Sequence, residues 1–461
     1  MKNQLYFFMV IFTGSAVLLG MTGCAKFLDK KTSNAIVVPQ TVADLQALLD
    51  NAGLMNQTKT PASGEAAADN YFLTADYYKT CSPIERAFYT WQRYDYTFEN
   101  DWSKAYTPVY IANYCLELLK KQEQNATNAA RWGNVYGSAL FFRSYYFQQL
   151  LWVYAKAYDE AAASADLGIA LRLSYDFNEP SRRASVAECY QQVVNDTREA
   201  AYYLPDHPEH AFRPSKAAAY ALLARTFLSM RRYDSAYKYA DRCLKIKNDL
   251  IDFNRDPDLG TFKTTYPFKK FNRETVFYTE MMIGGVYGLV LSTRSKVDTV
   301  LYDKYAEADL RKKAYFLKSG DYYRFRGSYS KASVPFTGLA TDEMYLIRAE
   351  CSARRGVEGL QGALTDLNTL LAKRYEKSGF IEVTASTADA ALNMILEERR
   401  KELIWRGIRW SDIKRLNKEG RNIVLEKVVE GQHYRLEPNS SYYALPLPTD
   451  IIDITGMPQN E

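Results

Sequence analysis

Histidine is nearly missing from this chain: 461 residues carry three, His207, His210 and His433. Two lie beside Pro208 and the third stands alone, so no imidazole-built metal site or catalytic triad can be read from the sequence. The patterns G-x-S-x-G, H-E-x-x-H and G-x-x-x-x-G-K-[ST] are absent as well. A glycosidase needs two carboxylates that face each other. The conspicuous pair, Glu397 and Glu398, are sequence neighbours beside Arg399 and Arg400 on a helical stretch. They should point apart and form structural ion pairs. No enzymatic activity and no cofactor are expected.

Excess charge of one sign is also lacking. The net charge is +5, with basic and acidic residues mixed along the chain, which argues against nucleic-acid binding. No apolar run of about 18 residues follows Cys24, so nothing later reads as a bilayer span. Six cysteines occur without a C-x-x-C. The helical settings of Cys115, Cys189, Cys243 and Cys351 favour buried free thiols over a disulfide framework.

What is present begins at the N-terminus. Lys2, an apolar stretch from Leu5 to Leu19, and the run Leu19-Gly20-Met21-Thr22-Gly23-Cys24 have the layout of a secretory signal. A cysteine directly after a small residue suggests a bacterial lipoprotein, cleaved before Cys24 and acylated on its thiol. The alternatives are an ordinary signal peptide or an N-terminal anchor helix. Residues 1–23 are thus expected to be a signal peptide, 24–40 a lipidated tether, and 41–461 the folded domain.

Apolar residues at three- and four-residue steps predict helices from Thr41 to about Asn51, Asp101 to Lys121, Ala129 to Val153, Ser185 to Tyr203, Pro214 to Met230, and Ser235 to Lys245. Pro108 should kink or break the second of these. A pair from Asp342 to Arg374 turns at Arg355-Gly356, and a final helix runs from Ala388 to Arg406. Ala224 and Ala236 lie 12 residues apart, as do Cys351 and Ala363. That spacing suits tetratricopeptide-like hairpins, although generic helical hairpins share it. Residues 53–100 read as loop with short helices. Residues 251–340 form a loop-rich insert in which Thr275–Tyr278 and Leu289–Leu291 read as short strands. Asp252, Asn254, Asp256 and Asp258 alternate like a calcium loop, but Pro257 and Lys263 replace its required Gly and Glu, which leaves a polar turn.

Three stretches together resemble the SusD/RagB family of outer-membrane nutrient-binding lipoproteins. They are Asp342–Glu350; Glu398–Leu403 with Gly407–Arg415; and Leu445-Pro446-Leu447-Pro448-Thr449-Asp450-Ile451 with Gln459-Asn460. Arg406 stands where the family usually has an acidic residue, which puts one local ion pair in doubt. The resemblance implies a mainly α fold: a superhelix of tetratricopeptide-like hairpins under a loop-rich ligand-binding lobe. It also implies an outer-membrane, lipid-anchored, cell-surface location and a SusC-like TonB-dependent barrel as partner. The implied cargo is an oligosaccharide, or a peptide in the RagB-type alternative.

The family's motif residues are structural, so candidate binding residues come from chemistry. Tyrosine is abundant, at 37 residues, and a tyrosine offers an apolar face together with a hydroxyl. Two loop clusters combine such rings with amides and carboxylates. One holds Asp69, Asn70, Tyr71, Tyr77, Tyr78, Trp91, Tyr94 and Tyr96. The other holds Tyr266, Phe268, Tyr287, Tyr322 and Tyr323 in the insert. Each of these aromatics could instead pin an irregular loop onto the helices.

Overall fold

Capping side chains mark where the chain turns helical. Thr41, Ser82 and Asn100 open α1 (Val42–Leu49), α2 (Pro83–Tyr89) and α3 (Asp101–Leu119), each in a reciprocal capping box. Such a box gives orphan N–H groups at the helix start a partner. α4 (Ala129–Tyr154) follows, then α5 (Val186–Tyr203), boxed by Ser185 and Glu188, and α6 (Lys216–Ser229), capped by Ser215. The remaining long helices are α7 (Tyr233–Ile246), α8 (Thr341–Ala353), α9 (Val357–Leu371), α10 (Ala388–Glu402), α11 (Arg409–Asn417) and the short α12 (Thr449–Thr455). The computed structural model describes residues 39–460 other than Ser292. The signal segment, Cys24 and most of the tether lie outside the described residues.

Consecutive helices pack from α3 through α7, and α7 then packs on α8. The two hairpins, α6–α7 and α8–α9, are therefore neighbours in space although the insert separates them in sequence. Ala224, Ala236, Cys351 and Ala363 are all buried where the spacing placed them. The second hairpin is tighter still. A Cβ added to Gly359 would lie 1.8 Å from the Ser352 carbonyl oxygen, so only glycine permits this approach.

Several details depart from the sequence reading. Pro108 sits inside a continuous α3. α10 stops at Glu402 because Trp405 and Gly407 take positive φ (57° and 72°) and turn the chain into α11, which the sequence pattern missed. Leu289–Leu291 is not a strand. Gly284 and Gly285, both at positive φ, wind Gly285–Val290 into a 3-10 helix.

Strands are short. They are β1 (Tyr71–Leu73), β2 (Leu167–Ala170), β3 (Arg183–Ser185), β4 (Thr275–Phe277), β5 (Ser295–Val297), β6 (Phe316–Ser319), β7 (Tyr322–Phe325), β8 (Leu339–Ala340), β9 (Leu425–Val429) and β10 (Gln432–Leu436). They pair antiparallel as β1–β5, β2–β3, β4–β8, β6–β7 and β9–β10. The insert is stitched to the rest at β1–β5 and sinks aromatic side chains into the common core. Phe277 meets Phe141 and Tyr145 of α4 at 4.7 and 5.5 Å between ring centroids. The five described cysteines are free and buried, and burial raises their thiol pKa values.

Ion pairs run through this core. Arg374 donates to Glu402 and Glu274, each at 2.7 Å, and to the Ile251 carbonyl at 2.8 Å. Arg311 binds Asp309, Glu398 and Glu402 at 2.7, 2.6 and 2.9 Å. Arg225 grips Glu343, and Arg415 holds Glu350 at 2.6 and 2.8 Å. Arg406, which replaces the family's usual acidic residue, makes a pair of its own: its guanidinium donates to Asp342 at 2.7 Å and lies 4.2 Å from the Tyr329 ring centroid. Glu397 and Glu398 do part company, to Lys304 and to Arg311.

Two lysines are buried for different purposes. Lys414 donates to the carbonyls of Trp152 and Ala155 at 2.9 and 2.5 Å. It thereby closes the C-terminal end of α4, where a cation also meets the helix dipole. Lys427 of β9 has no hydrogen-bond partner among the described residues, and its Nζ sits 3.8, 4.9 and 5.0 Å from the ring centroids of Tyr89, Tyr71 and Trp91. Burial pulls both ammonium groups down to about 7.

Two outcomes follow for stability. Arg374→Met leaves Glu274 and Glu402 buried without their shared cation, and urea unfolding should show a loss of about 3–5 kcal/mol. A loss below about 1 kcal/mol would contradict the buried-pair account. For Lys427, the folded state releases its proton near pH 7 and the unfolded chain near 10.5. Between these values the unfolded state binds more protons, so stability rises with pH across that window. Lys427→Met should reduce the slope without abolishing it, because Lys414 titrates over the same range. An unchanged slope would show that Lys427 does not titrate this way.

Candidate ligand-binding site

α2 ends at Tyr89, and Trp91 takes a positive φ of 55° that sends the chain out into the loop 92–99. The loop is fastened at its far side to the C-terminal segment. Thr449 N–H donates to the Tyr96 carbonyl at 2.9 Å, and Phe98 N–H donates to Asp450 at 3.0 Å. The Tyr96 hydroxyl donates to the Pro446 carbonyl at 2.9 Å, which fixes its ring. Tyr94 is wedged between Phe88 and Tyr96, with centroids 5.3 Å from each.

Beside this loop opens a cleft of about 470 Å³. Tyr94, Asp95, Tyr96, Thr97 and Glu99 form one wall, with Asn100 and Asp101 at the start of α3. Ser82, Ile84 and Glu85 of the α2 region form another, and Met282 with Gly284–Val286 forms the third. Ile84, Ile283 and Phe98 stay well exposed at or next to the rim. The walls carry Glu85, Asp95, Glu99 and Asp101 and no lysine or arginine. Asp101 is buried and accepts the Ser63 N–H at 2.6 Å, and burial raises its pKa. Glu85 is bound to the Ser82 N–H, and Glu99 pairs with Lys104 at 2.9 Å. Asp95 is exposed and makes no ion pair among the described residues.

The structure sorts the sequence candidates. Tyr94 and Tyr96 line the cleft, and Tyr287 lies on the 3-10 helix that borders it, although its side chain lies outside the described residues. Asn70, Tyr71 and Trp91 are corrected: they are buried, and their side-chain donors are spent inside. Asn70 donates to Glu65, Tyr71 to the Ala66 carbonyl and Trp91 to the Ala67 carbonyl, at 2.7, 2.7 and 3.0 Å. Asp69 binds Arg409 and Arg400, whose charges hold its carboxyl well below the usual range. Phe268 is likewise core.

Tyr77 and Tyr322 are at the surface elsewhere, the first under Lys296 and the second edge-on to Phe72. Tyr323 stacks on Tyr302 at 3.9 Å, Tyr78 leans on Tyr89, and Tyr266 is half-buried apart from the others. The candidates therefore do not form one arc. Sequence reasoning missed Ile84, Glu99, Met282 and the Gly284-Gly285 turn. Only the paired glycines carried a local signal, that of a tight turn.

Among the described residues the acidic groups form one close cluster. Glu274, Asp342 and Glu402 bring carboxylate oxygens within 4.8 Å of one another, and Arg311, Arg374 and Arg406 pair with them. Asp256 and Asp258 are held by Arg273 and Lys269, as a polar turn requires.

Comparison with known proteins agrees with this architecture. Residues 26–228 match a SusD-like family described as starch-binding and associating with the outer membrane, and residues 291–445 match the SusD family. No curated protein matches the chain. A SusD superfamily protein from Bacteroides thetaiotaomicron VPI-5482 superposes with a TM-score of 0.75 at 19% identity, over 91% of this chain and 100% of that one. Another from Bacteroides vulgatus ATCC 8482 gives 0.72 at 19% identity, over 92% and 99%. A SusD-like carbohydrate binding protein from the same organism gives 0.65 at 18% identity, over 90% and 97%. The order of helices, the paired hairpins and the two sequence matches lead to one assignment: the chain belongs to the SusD/RagB family.

Proposed function

We propose that this protein is a lipoprotein, anchored through Cys24 at the outer membrane, that captures oligosaccharide in the 470 Å³ cleft and passes it to a SusC-like TonB-dependent barrel. The observation that carries the reading is the pairing of the Tyr94 and Tyr96 rings with exposed hydrogen-bond acceptors on a loop fastened at both ends. A sugar ring has an apolar face that stacks on an aromatic side chain and hydroxyls that carboxylates accept. Such a site binds and releases without turnover. The family description and the carbohydrate-binding relative point the same way.

The charge of the walls narrows the cargo. Asp95 makes no ion pair among the described residues, and Glu85 and Glu99 are only partly offset by Arg294 and Lys104, so a neutral or amine-bearing glycan fits better than a uronate or sulfate ester. The same carboxylates suit the ammonium of a peptide, and this supports peptide capture of the RagB type as a second reading.

Calorimetric titration of the full-length protein with neutral oligosaccharides, uronate oligosaccharides and cationic peptides tests this. A neutral glycan class should bind, and Tyr94→Ala should weaken it about 3- to 10-fold, the worth of one aromatic contact. Asp95→Asn should leave neutral ligands nearly unaffected and reduce discrimination against uronates. Binding of peptides alone would move the reading to peptide capture.

A further inference from the structure

α3 carries a second aromatic surface, separate from the cleft. Tyr110 and Tyr114, one helical turn apart, hold their rings nearly parallel, at 6.3 Å and 8°. Phe177 lies over Tyr110 at 4.9 Å and 23°, and Tyr175 meets Tyr114 edge-on at 5.3 Å. Tyr110, Tyr175 and Phe177 border a hollow of about 350 Å³. Phe177 is 81% exposed, so most of its surface is presented to solvent.

The loop that presents Phe177 is held in place by its own polar groups. The Arg172 guanidinium donates to the backbone carbonyls of Glu179, at 2.5 Å, and of Asp176. Asn113 of α3 donates to the carbonyls of Arg172 and Ser174 at 2.7 and 3.3 Å. Asp176 accepts the Asn178 N–H at 2.9 Å, and Ser174 Oγ accepts the Asp176 N–H at 3.1 Å. A phenylalanine on such a platform stays outward, and the ordering cost of a stacked complex is met before the ligand arrives.

The chemistry of the hollow is neutral. Its walls hold no carboxylate, and its one charged group, Arg172, is turned onto backbone carbonyls. Among the hydroxyls that line it, that of Tyr106 is spent on the Ala170 carbonyl, while those of Tyr110 and Tyr175 make no hydrogen bond among the described residues. Free phenol hydroxyls beside the outward face of Phe177 match a ligand with an apolar face and a rim of hydroxyls. They offer nothing to an ion.

We infer that the Tyr110–Phe177 hollow is a second carbohydrate subsite, which takes a neutral sugar ring stacked on Phe177. The ligand class rests on the carbohydrate reading of the cleft. Tyr110 follows Asp101, which borders that cleft, by about 13 Å along the α3 axis. A long glycan held at one site is then at high effective concentration near the other, whereas a short one fills each site separately.

The test uses the full-length protein in native gels cast with amylopectin, arabinoxylan or galactomannan, followed by calorimetry with a trisaccharide from the retaining polymer. Phe177→Ala and Tyr110→Ala should each lower polymer retention at least threefold and leave trisaccharide affinity at the cleft unchanged. Tyr94→Ala should lower trisaccharide affinity at the cleft. Unchanged retention in both α3-side variants, with loss in Tyr94→Ala, would overturn the subsite and leave the cleft reading standing. Loss in Phe177→Ala with Tyr94→Ala unaffected would do the reverse. If none of the polymers retards the wild type, both fall. Phe177 contributes almost nothing to the core, so its variant should fold, and matching melting curves establish that.

Discussion

Arginines 225, 311, 374, 406 and 415 sit out of solvent in this protein, and each has a carboxylate within hydrogen-bond reach. An isolated buried charge costs several kcal/mol, so each pair constrains the positions of both its chain segments. The segments are far apart in sequence. Arg374 and Glu274 are separated by 100 residues, Arg225 and Glu343 by 118. Moving the insert away from the hairpins would strand Glu274. Moving the C-terminal helices would strand Asp342 and leave Glu350 with Arg354 alone. The frame therefore forms as one unit or leaves several charges uncompensated.

On that frame the irregular segments are ordered by a few specific contacts rather than by regular structure. Loop 92–99 begins at the turn of Trp91, whose indole is tied down, and ends at the Asn100 cap of α3. In between it leans on Pro446 and Thr449. The rings of Tyr94 and Tyr96 are positioned by these anchors, while Asp95, Thr97 and Glu99 face outward. The rim can change in chemistry without disturbing the anchors, and a binding protein benefits from that division.

Much of the frame was legible because capping and helical spacing are local. Ser185, Ser215 and the small-residue pairs Ala224–Ala236 and Cys351–Ala363 announced their helices in the residues themselves. The turn after Glu402 was not legible, because Trp405, a bulky residue with no local turn signal, takes positive φ there, and Arg406 beside it reaches Asp342 across 64 residues. The β9–β10 hairpin was missed for a related reason: its buried lysine interrupts the apolar alternation that marks a strand. The candidate site was half legible. Aromatic-rich loops identified the region, and Tyr94 and Tyr96 do line the cleft. Composition could not separate them from Tyr71 and Trp91, because outward and inward rings look alike until the backbone's path is known. Ile84 and Met282 join the cleft only through folding, and no local pattern singles them out.

The β9–β10 hairpin also bears on what this surface does not attract. Tyr71, Tyr89 and Trp91 form a three-sided aromatic box, a shape suited to quaternary ammonium groups and lysine side chains. Lys427 fills it from within the same polypeptide. A covalently attached occupant outcompetes any dilute cation in the surroundings. The chain thereby withdraws this π box from the milieu and leaves recognition to the paler, hydroxyl-friendly faces elsewhere.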